Sequence, residues 1–415
     1  MINPKHENIT AVLIKLAEQD PELKKLLEKS VKKARETNPD INTNPVTDLQ
    51  SYYDFIDRCV KALPWEISPS GAHRSVYDRI DQGMGCLYFV CDQPLKELEG
   101  KGYFHNSLIY HEPFAGWFAA FLSISGIHLD MKGTWTDEYL DRIREDPRFH
   151  LTDGTYEDAG RWTTFNEFFA RKLRTASVRP VAGQNDGTVV VSPADAVPQG
   201  VWKLDKNGMV AQTAGQNCGL PVKTGTLSGV PALLRGSMYA DSFGNGTLTH
   251  TFLDVSDYHR YHFPVSGIVR EVLRIPQDTA PGGIVVWDAG EKRYKLQGMN
   301  VFGWQSLETR GAVVIETESG GLVAVVPVGM CQVASVNFER EVVAGHRAVK
   351  GDPLGYFLFG GSDIIMIFSE DLSFRYTAET GVHLNMGRQY GRFCHTAAAA
   401  DYSPEEYISS SESVS

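Results

Sequence analysis

Residues 357–368 run Phe357-Leu358-Phe359-Gly360-Gly361-Ser362-Asp363-Ile364-Ile365-Met366-Ile367-Phe368, two apolar runs split by a double glycine. Short runs of aromatic and β-branched residues bounded by turn formers predict buried strands. The glycines interrupt them, because glycine adopts backbone angles that other residues avoid and lets another group come close to the main chain. Ser362 therefore stands where its hydroxyl can reach the Gly361 carbonyl with little hindrance. Turn chemistry alone explains such a break as a β-bulge or hairpin turn. Any chemistry at Ser362 has to be argued from the rest of the chain.

Around that stretch the 415 residues change texture once. Residues 1–160 predict an N-terminal helical extension. Asp20-Pro21 is an N-cap followed by proline at the first helical position, and Leu23, Leu26, Leu27 and Val31 then recur at helical spacing. Thr47 with Gln50 reads as a capping box, opening a helix that Pro64 ends. Val76–Leu95 and Leu108–Ile124 are two more apolar, aromatic-rich segments. Thr164 and Glu167 are spaced as another capping box, opening a short helix with Phe165, Phe168, Phe169 and Leu173 on one side. Residues 161–395 form the expected second domain, β-rich from about 185. Its runs Val189–Val191, Leu248–Val255, Ile268–Ile275, Ile284–Trp287, Val313–Ile315 and Leu322–Val328 are separated by turn residues, as in a sandwich or barrel-like domain. Residues 396–415, rich in Ala, Ser and Glu, read as a disordered tail. The fold class expected is α+β.

A net charge of −11 argues against nucleic acid as a partner, since phosphate binding needs clustered Lys and Arg. The six cysteines, Cys59, Cys86, Cys91, Cys218, Cys331 and Cys394, include no C-x-x-C pair. They predict reduced thiols, not a disulfide framework or zinc ligands. No apolar stretch reaches the ~18 residues of a membrane span, and no signal peptide is visible, so the cytosol is the default location. His111-Glu112 has Ala115 where a second metal-binding histidine would stand, and no metal is expected.

Three places in the β half carry candidate chemistry. Val191-Ser192-Pro193-Ala194-Asp195 ends a strand on an aspartate. Asp257-Tyr258-His259-Arg260-Tyr261-His262-Phe263-Pro264 sets two histidines three apart. The third is Gly361-Ser362. A carboxylate, an imidazole and a hydroxyl are the components of an activated nucleophile. A serine-hydrolase elbow is a poor match, because it needs Gly-x-Ser-x-Gly between strand and helix, and here Ile364 and a strand follow. A serine directly after glycine in a tight turn has another option. It attacks the Gly361 carbonyl, the amide becomes an ester, β-elimination cuts the chain, and hydrolysis leaves an N-terminal pyruvoyl group.

Asp257–Pro264 (DYHRYHFP), Ser192–Asp195 (SPAD), Thr164–Arg174 (TFNEFFARKLR) and Lys350–Ser362 (KGDPLGYFLFGGS) together resemble the pyruvoyl-dependent phosphatidylserine decarboxylases in composition, order and spacing. The resemblance covers residues 160–370 most strongly. The preceding helical region is similar to the extension of the soluble branch of that family, which includes an L-tryptophan decarboxylase. The resemblance implies cleavage at Gly361–Ser362, with Ser362 the precursor of the pyruvoyl cofactor. It implies that Asp195, His262 and Ser362 form the self-processing triad, and that His259 acts near the substrate carboxylate or as proton donor. Large and small chains of one precursor, and a homo-oligomer, are in keeping with it. The site departs from the Leu-Gly-Ser-Thr of many members, and Asp363 beside the nucleophile is expected to compete for the histidine.

The leading expectation is a decarboxylase that forms a Schiff base with a free amino acid, in particular an aromatic one. The alternative is a phosphatidylserine decarboxylase making phosphatidylethanolamine. A third reading is an unprocessed, non-catalytic β-sandwich binding module. Gly267–Glu271 and Ala344–Asp352 have the glycine-punctuated look of lipoyl carriers, but the candidate carrier lysines Lys132 and Lys206 lie far from them in sequence.

Overall fold

The computed structural model describes residues 6–69, 75–101, 105–210, 220–222, 225–227, 229–276, 284–297, 303–329, 335–360 and 362–394. The expected tail at 396–415, Cys218, Cys331 and Gly361 lie outside the described residues.

The N-terminal part is helical, with helices at Asn8–Gln19, Pro21–Thr37, Leu49–Cys59, Val76–Phe89 and Phe114–Leu129. Asp20 caps the second helix as its sequence predicts, accepting from the backbone N–H groups of Glu22 and Leu23. The next capping box stands one residue later than expected. Asp48 is the cap, accepting from Ser51 N at 2.8 Å, while Ser51 Oγ takes the Asp48 N–H at 2.9 Å. Pro64 opens the short Pro64–Ile67 helix instead of ending its predecessor, since a missing N–H costs nothing at a first helical position. Residues 108–124 do not form one helix. Pro113 cannot sit inside one, so a 3₁₀ turn at Leu108–Tyr110 precedes the Phe114–Leu129 helix.

The β part is built on a seven-stranded, wholly antiparallel sheet. Its strands run in the order Arg347–Ala348, Gly267–Ile275, Thr309–Glu316, Leu322–Gly329, Ser362–Phe368, Thr247–Leu253, Val197–Lys203. The two apolar runs around the double glycine are strands, as expected: Pro353–Phe357 and Ser362–Phe368. Successive residues of a strand face opposite ways, so the sheet has two buried faces. Ile364, Met366 and Phe368 pack with Val313, Val323 and Val325, and with Tyr261, Leu354, Phe357 and Tyr390 of two small sheets layered on that side. Ile365 and Ile367 pack on the other side with Leu248, Val314, Ala324 and Val326.

The two halves share one core. The hairpin of Ile284–Asp288 and Arg293–Gln297 belongs to the β half in sequence. Its Tyr294 is nevertheless buried among the N-terminal helices with Phe89, Cys86 and Tyr52. The Tyr294 hydroxyl donates to the Thr43 carbonyl at 2.9 Å and accepts from Asn38 Nδ2 at 3.1 Å. A Cβ at Gly85 would come within 2.4 Å of Tyr294 Cβ, so only glycine lets the helix pass.

Candidate active site

Ser362 is the first residue of its strand, paired with Gly329 on one side and Leu253 on the other, and is fully buried. The turn before it contains Gly360 at φ +144°, a conformation that side chains rarely adopt. The approach is pinned from two directions. The Phe357 N–H donates to the His259 carbonyl at 2.9 Å, and the Phe359 N–H donates to Asn166 Oδ1 at 3.1 Å.

His259 Nδ1 lies 3.1 Å from Ser362 Oγ, and its Nε2 lies 3.3 Å from the Val255 carbonyl. A carbonyl can only accept, which assigns the ring proton to Nε2 and leaves the Nδ1 lone pair to receive the serine hydroxyl. Complete burial, reinforced by the Arg171 charge, pushes the imidazole pKa down to about 3, so His259 is neutral at physiological pH. The Phe169 ring stacks on it with centroids 3.8 Å apart, and Phe359 packs edge-on against Phe169 at 5.2 Å. Arg171 donates to the Ser256 and Asp257 carbonyls at 2.7 and 2.9 Å and so holds the turn leading into His259. The arrangement is that of a serine hydroxyl seated on a neutral, oriented base.

The relay expected among Asp195, His262 and Ser362 is not formed. His262 uses both ring nitrogens elsewhere: Nδ1 donates to the Gly351 carbonyl at 2.8 Å, and Nε2 accepts from the Tyr258 hydroxyl at 3.0 Å. Burial lowers its pKa to about 4, against the pull of the Gly351 carbonyl and the Asp195 charge. Asp195 accepts from Arg179 Nη2 at 2.6 Å and from the Met386 N–H at 2.7 Å. His262, Tyr258 and Arg179 instead line a groove of 370 Å³ together with Lys172 and Arg260. Sequence spacing could not separate the two histidines. His259 precedes the Arg260–His262 strand, whereas His262 ends it, and the two rings meet different walls.

Asp363 does not compete for the base of Ser362. The strand turns its side chain to the opposite face, where its Oδ2 lies 2.8 Å from His250 Nε2. Sequence reading also missed Asn166, Phe169 and Arg171 as supports of the site. All three fall in the Thr164–Arg174 segment that carries part of the resemblance, but the aromatic crowding of Phe165–Phe169 reads equally well as core packing.

A family model described as phosphatidylserine decarboxylase matches residues 165–392, more than half of the chain. The chain belongs to the phosphatidylserine decarboxylase family. The family segment opens at Phe165, in the helix that supports Ser362, and contains Asp195, His259, His262 and Ser362. Among curated relatives, phosphatidylserine decarboxylase proenzyme 2 of Oryza sativa subsp. japonica is 32% identical over 208 residues, 50% of this chain and 30% of the relative. The phosphatidylserine decarboxylase proenzyme of Escherichia coli O9:H4 (strain HS) is 41% identical over 122 residues, 29% of this chain and 34% of the relative. The matched segments thus span about a third of the length of these two decarboxylase-family relatives.

Proposed function

We propose that this chain is a self-processing, pyruvoyl-dependent decarboxylase. The observation that carries the reading is the buried Ser362 hydroxyl on the free lone pair of neutral His259, in a family whose relatives are named decarboxylase proenzymes. In processing, His259 Nδ1 takes the hydroxyl proton as Oγ attacks the Gly361 carbonyl carbon and the Gly361–Ser362 amide becomes an ester. Removal of the Ser362 α-hydrogen expels the Gly361 carboxylate and leaves dehydroalanine at 362. Water then replaces its nitrogen, which departs as ammonia. The products are residues 1–361 and 362–415. They stay together because the Ser362–Phe368 strand is hydrogen-bonded between two neighbours in the sheet.

The pyruvoyl group supplies a ketone that condenses with a substrate amine and draws off the electrons released with CO2. Phe169 and Phe359 exclude water where the substrate carboxylate gives up its charge. His259 is the group within reach of residue 362 to hand a proton to the substrate carbon.

The names of the relatives favour phosphatidylserine as the amino-carboxylate substrate. A second reading is a free and in particular aromatic amino acid: the helical residues before 165 lie outside the family match and resemble the extension of the branch that includes an L-tryptophan decarboxylase. Intact-mass spectrometry with a hydrazine or borohydride-plus-amine trap tests the decarboxylase reading. Two chains split at Gly361–Ser362, the smaller one ketone-reactive, are expected; a single stable chain of 46.0 kDa would overturn it. CO2 release from phosphatidylserine and from amino acids then separates the two substrate readings.

A further inference from the structure

The turn from Asp254 to Tyr258 joins the strand that pairs with Ser362 to the strand that ends on His262. It is half-buried from Asp254 to Asp257 and belongs to no sheet. Its Val255 carbonyl takes the His259 Nε2–H at 3.3 Å. The shape of this turn therefore decides which His259 nitrogen faces Ser362 with a free lone pair.

Bonds from three parts of the chain fix that shape. Arg171, in the segment that supports the site, holds the Ser256 and Asp257 carbonyls. His383, which follows the cleavage point in sequence, reaches Asp257 Oδ1 at 2.8 Å. The third bond comes from the helical extension. The Tyr77 hydroxyl lies 2.8 and 2.7 Å from the two carboxylate oxygens of Asp254. Asp254 passes this grip to the main chain. Its Oδ1 accepts from the Val255 N–H at 2.7 Å, and its own N–H donates to Asp257 Oδ2 at 2.8 Å. Val255 thus has its N–H on the Asp254 carboxylate and its carbonyl on His259.

Tyr77 is itself firmly seated. Its N–H donates to Asp146 Oδ2 at 3.2 Å, and the Arg148 guanidinium lies 4.1 Å from its ring centroid. Burial and the Asp254 charge raise its pKa, so the hydroxyl keeps its proton and donates it. Packing does not call for this bond. The Tyr77 ring sits against the main core with or without a hydroxyl, whereas burying Asp254 costs free energy that its partners only offset.

We propose that Tyr77 is a positioning residue for His259: from outside the 165–392 family segment, its hydroxyl holds Asp254 and so fixes the Val255 carbonyl against His259 Nε2. Without that hydroxyl the turn relaxes, water reaches the ring, and the Nδ1 lone pair no longer stays on the Ser362 hydroxyl. The inference rests on the self-processing reading above and adds a residue to the same site. The other charged groups facing the turn are Arg171 toward His259, His383 on Asp257 and Asp81 toward Asp254. Tyr77→Phe leaves all of them in place.

The test follows chain splitting of the full precursor by intact mass between pH 5 and pH 8. Tyr77→Phe should slow splitting by about 10–100-fold, the order of loss for a reacting group held about 1 Å out of place. It should also add a fall in rate below pH 6.5, as the wetted imidazole regains its ordinary pKa. Tyr139→Phe is the control. It removes a similar hydroxyl–carboxylate bond, to Glu66 at 2.8 Å, and should leave rate and profile unchanged. Adding Asp254→Ala to Tyr77→Phe should slow splitting by no more than about threefold further, because both changes remove one contact. Tyr77→Phe that splits as fast as the unaltered chain would overturn the inference. So would a slower Tyr77→Phe with a level pH profile, or equal slowing in Tyr139→Phe. If Tyr77→Phe does not fold, Asp254→Ala takes its place, with the same expected slowing and the same overturning results. An unaltered chain that never splits would bring down the self-processing reading, and this inference with it.

Discussion

His259 and His262 are three residues apart, both buried, and both held neutral by burial, yet they occupy unlike surroundings. The His259 ring is sandwiched between a backbone carbonyl and the Ser362 hydroxyl, with one lone pair left for chemistry. The His262 ring is saturated by Gly351 and Tyr258, beside the Arg179–Asp195 ion pair. Burial and a depressed pKa are common to both. What distinguishes a base from a strut is whether the free nitrogen faces a proton that has somewhere to go.

Substitutions and pH can break or sharpen this contrast. Ser362→Ala should abolish cleavage, leaving one chain by intact mass. His259→Gln should slow self-cleavage by about 10²–10⁴-fold, the usual worth of a general base, in a time course of chain splitting. His262→Gln should slow it far less while lowering stability by about 1–3 kcal/mol in urea unfolding, because buried hydrogen bonds to Tyr258 and Gly351 are lost. The reverse order of the two histidines would show that the relay through Asp195 and His262 forms during processing.

The pH dependence has a definite sign. The His262 pKa falls from an ordinary 6.5 to about 4, so the unfolded chain binds the extra proton between those values. Stability is then fully present above pH 6.5 and drains away as pH falls toward 4, by roughly 3 kcal/mol from this residue. His262→Gln should flatten that slope in unfolding curves. The same reasoning for His259, with a pKa of about 3, predicts a cleavage rate that is level from pH 8 to pH 5, with no midpoint near 6.5. The smallest effect is expected for Phe169→Leu, which removes the ring stacked on His259. Cleavage should slow by less than about tenfold, with about 1 kcal/mol lost, as for other aromatic pairs.

Much of this was legible in the residues themselves. The apolar runs on either side of Gly360-Gly361 are strands, and the Thr164–Glu167 capping box opens its helix, because both depend on short-range patterns. Ser362 stood out for the same reason. The partner of Ser362 was not legible, since two histidines at i and i+3 differ only in which wall each ring meets. The direction of Asp363 was legible in principle: a period of two places neighbours on opposite faces, and Ser362 and Asp363 are neighbours. The Asn166 to Phe359 hydrogen bond joins residues 193 apart and leaves no trace in either local sequence.

The Tyr294 hairpin bears on how this protein can be cut down or rebuilt. A truncation beginning at residue 161 would look like a clean removal of a helical appendage. It would strip the cover from Tyr294, Trp287 and Val285, and leave the Tyr294 hydroxyl without Asn38 and Thr43. The N-terminal helices thus complete the packing of that hairpin, and exchanging them between relatives means exchanging the hairpin as well.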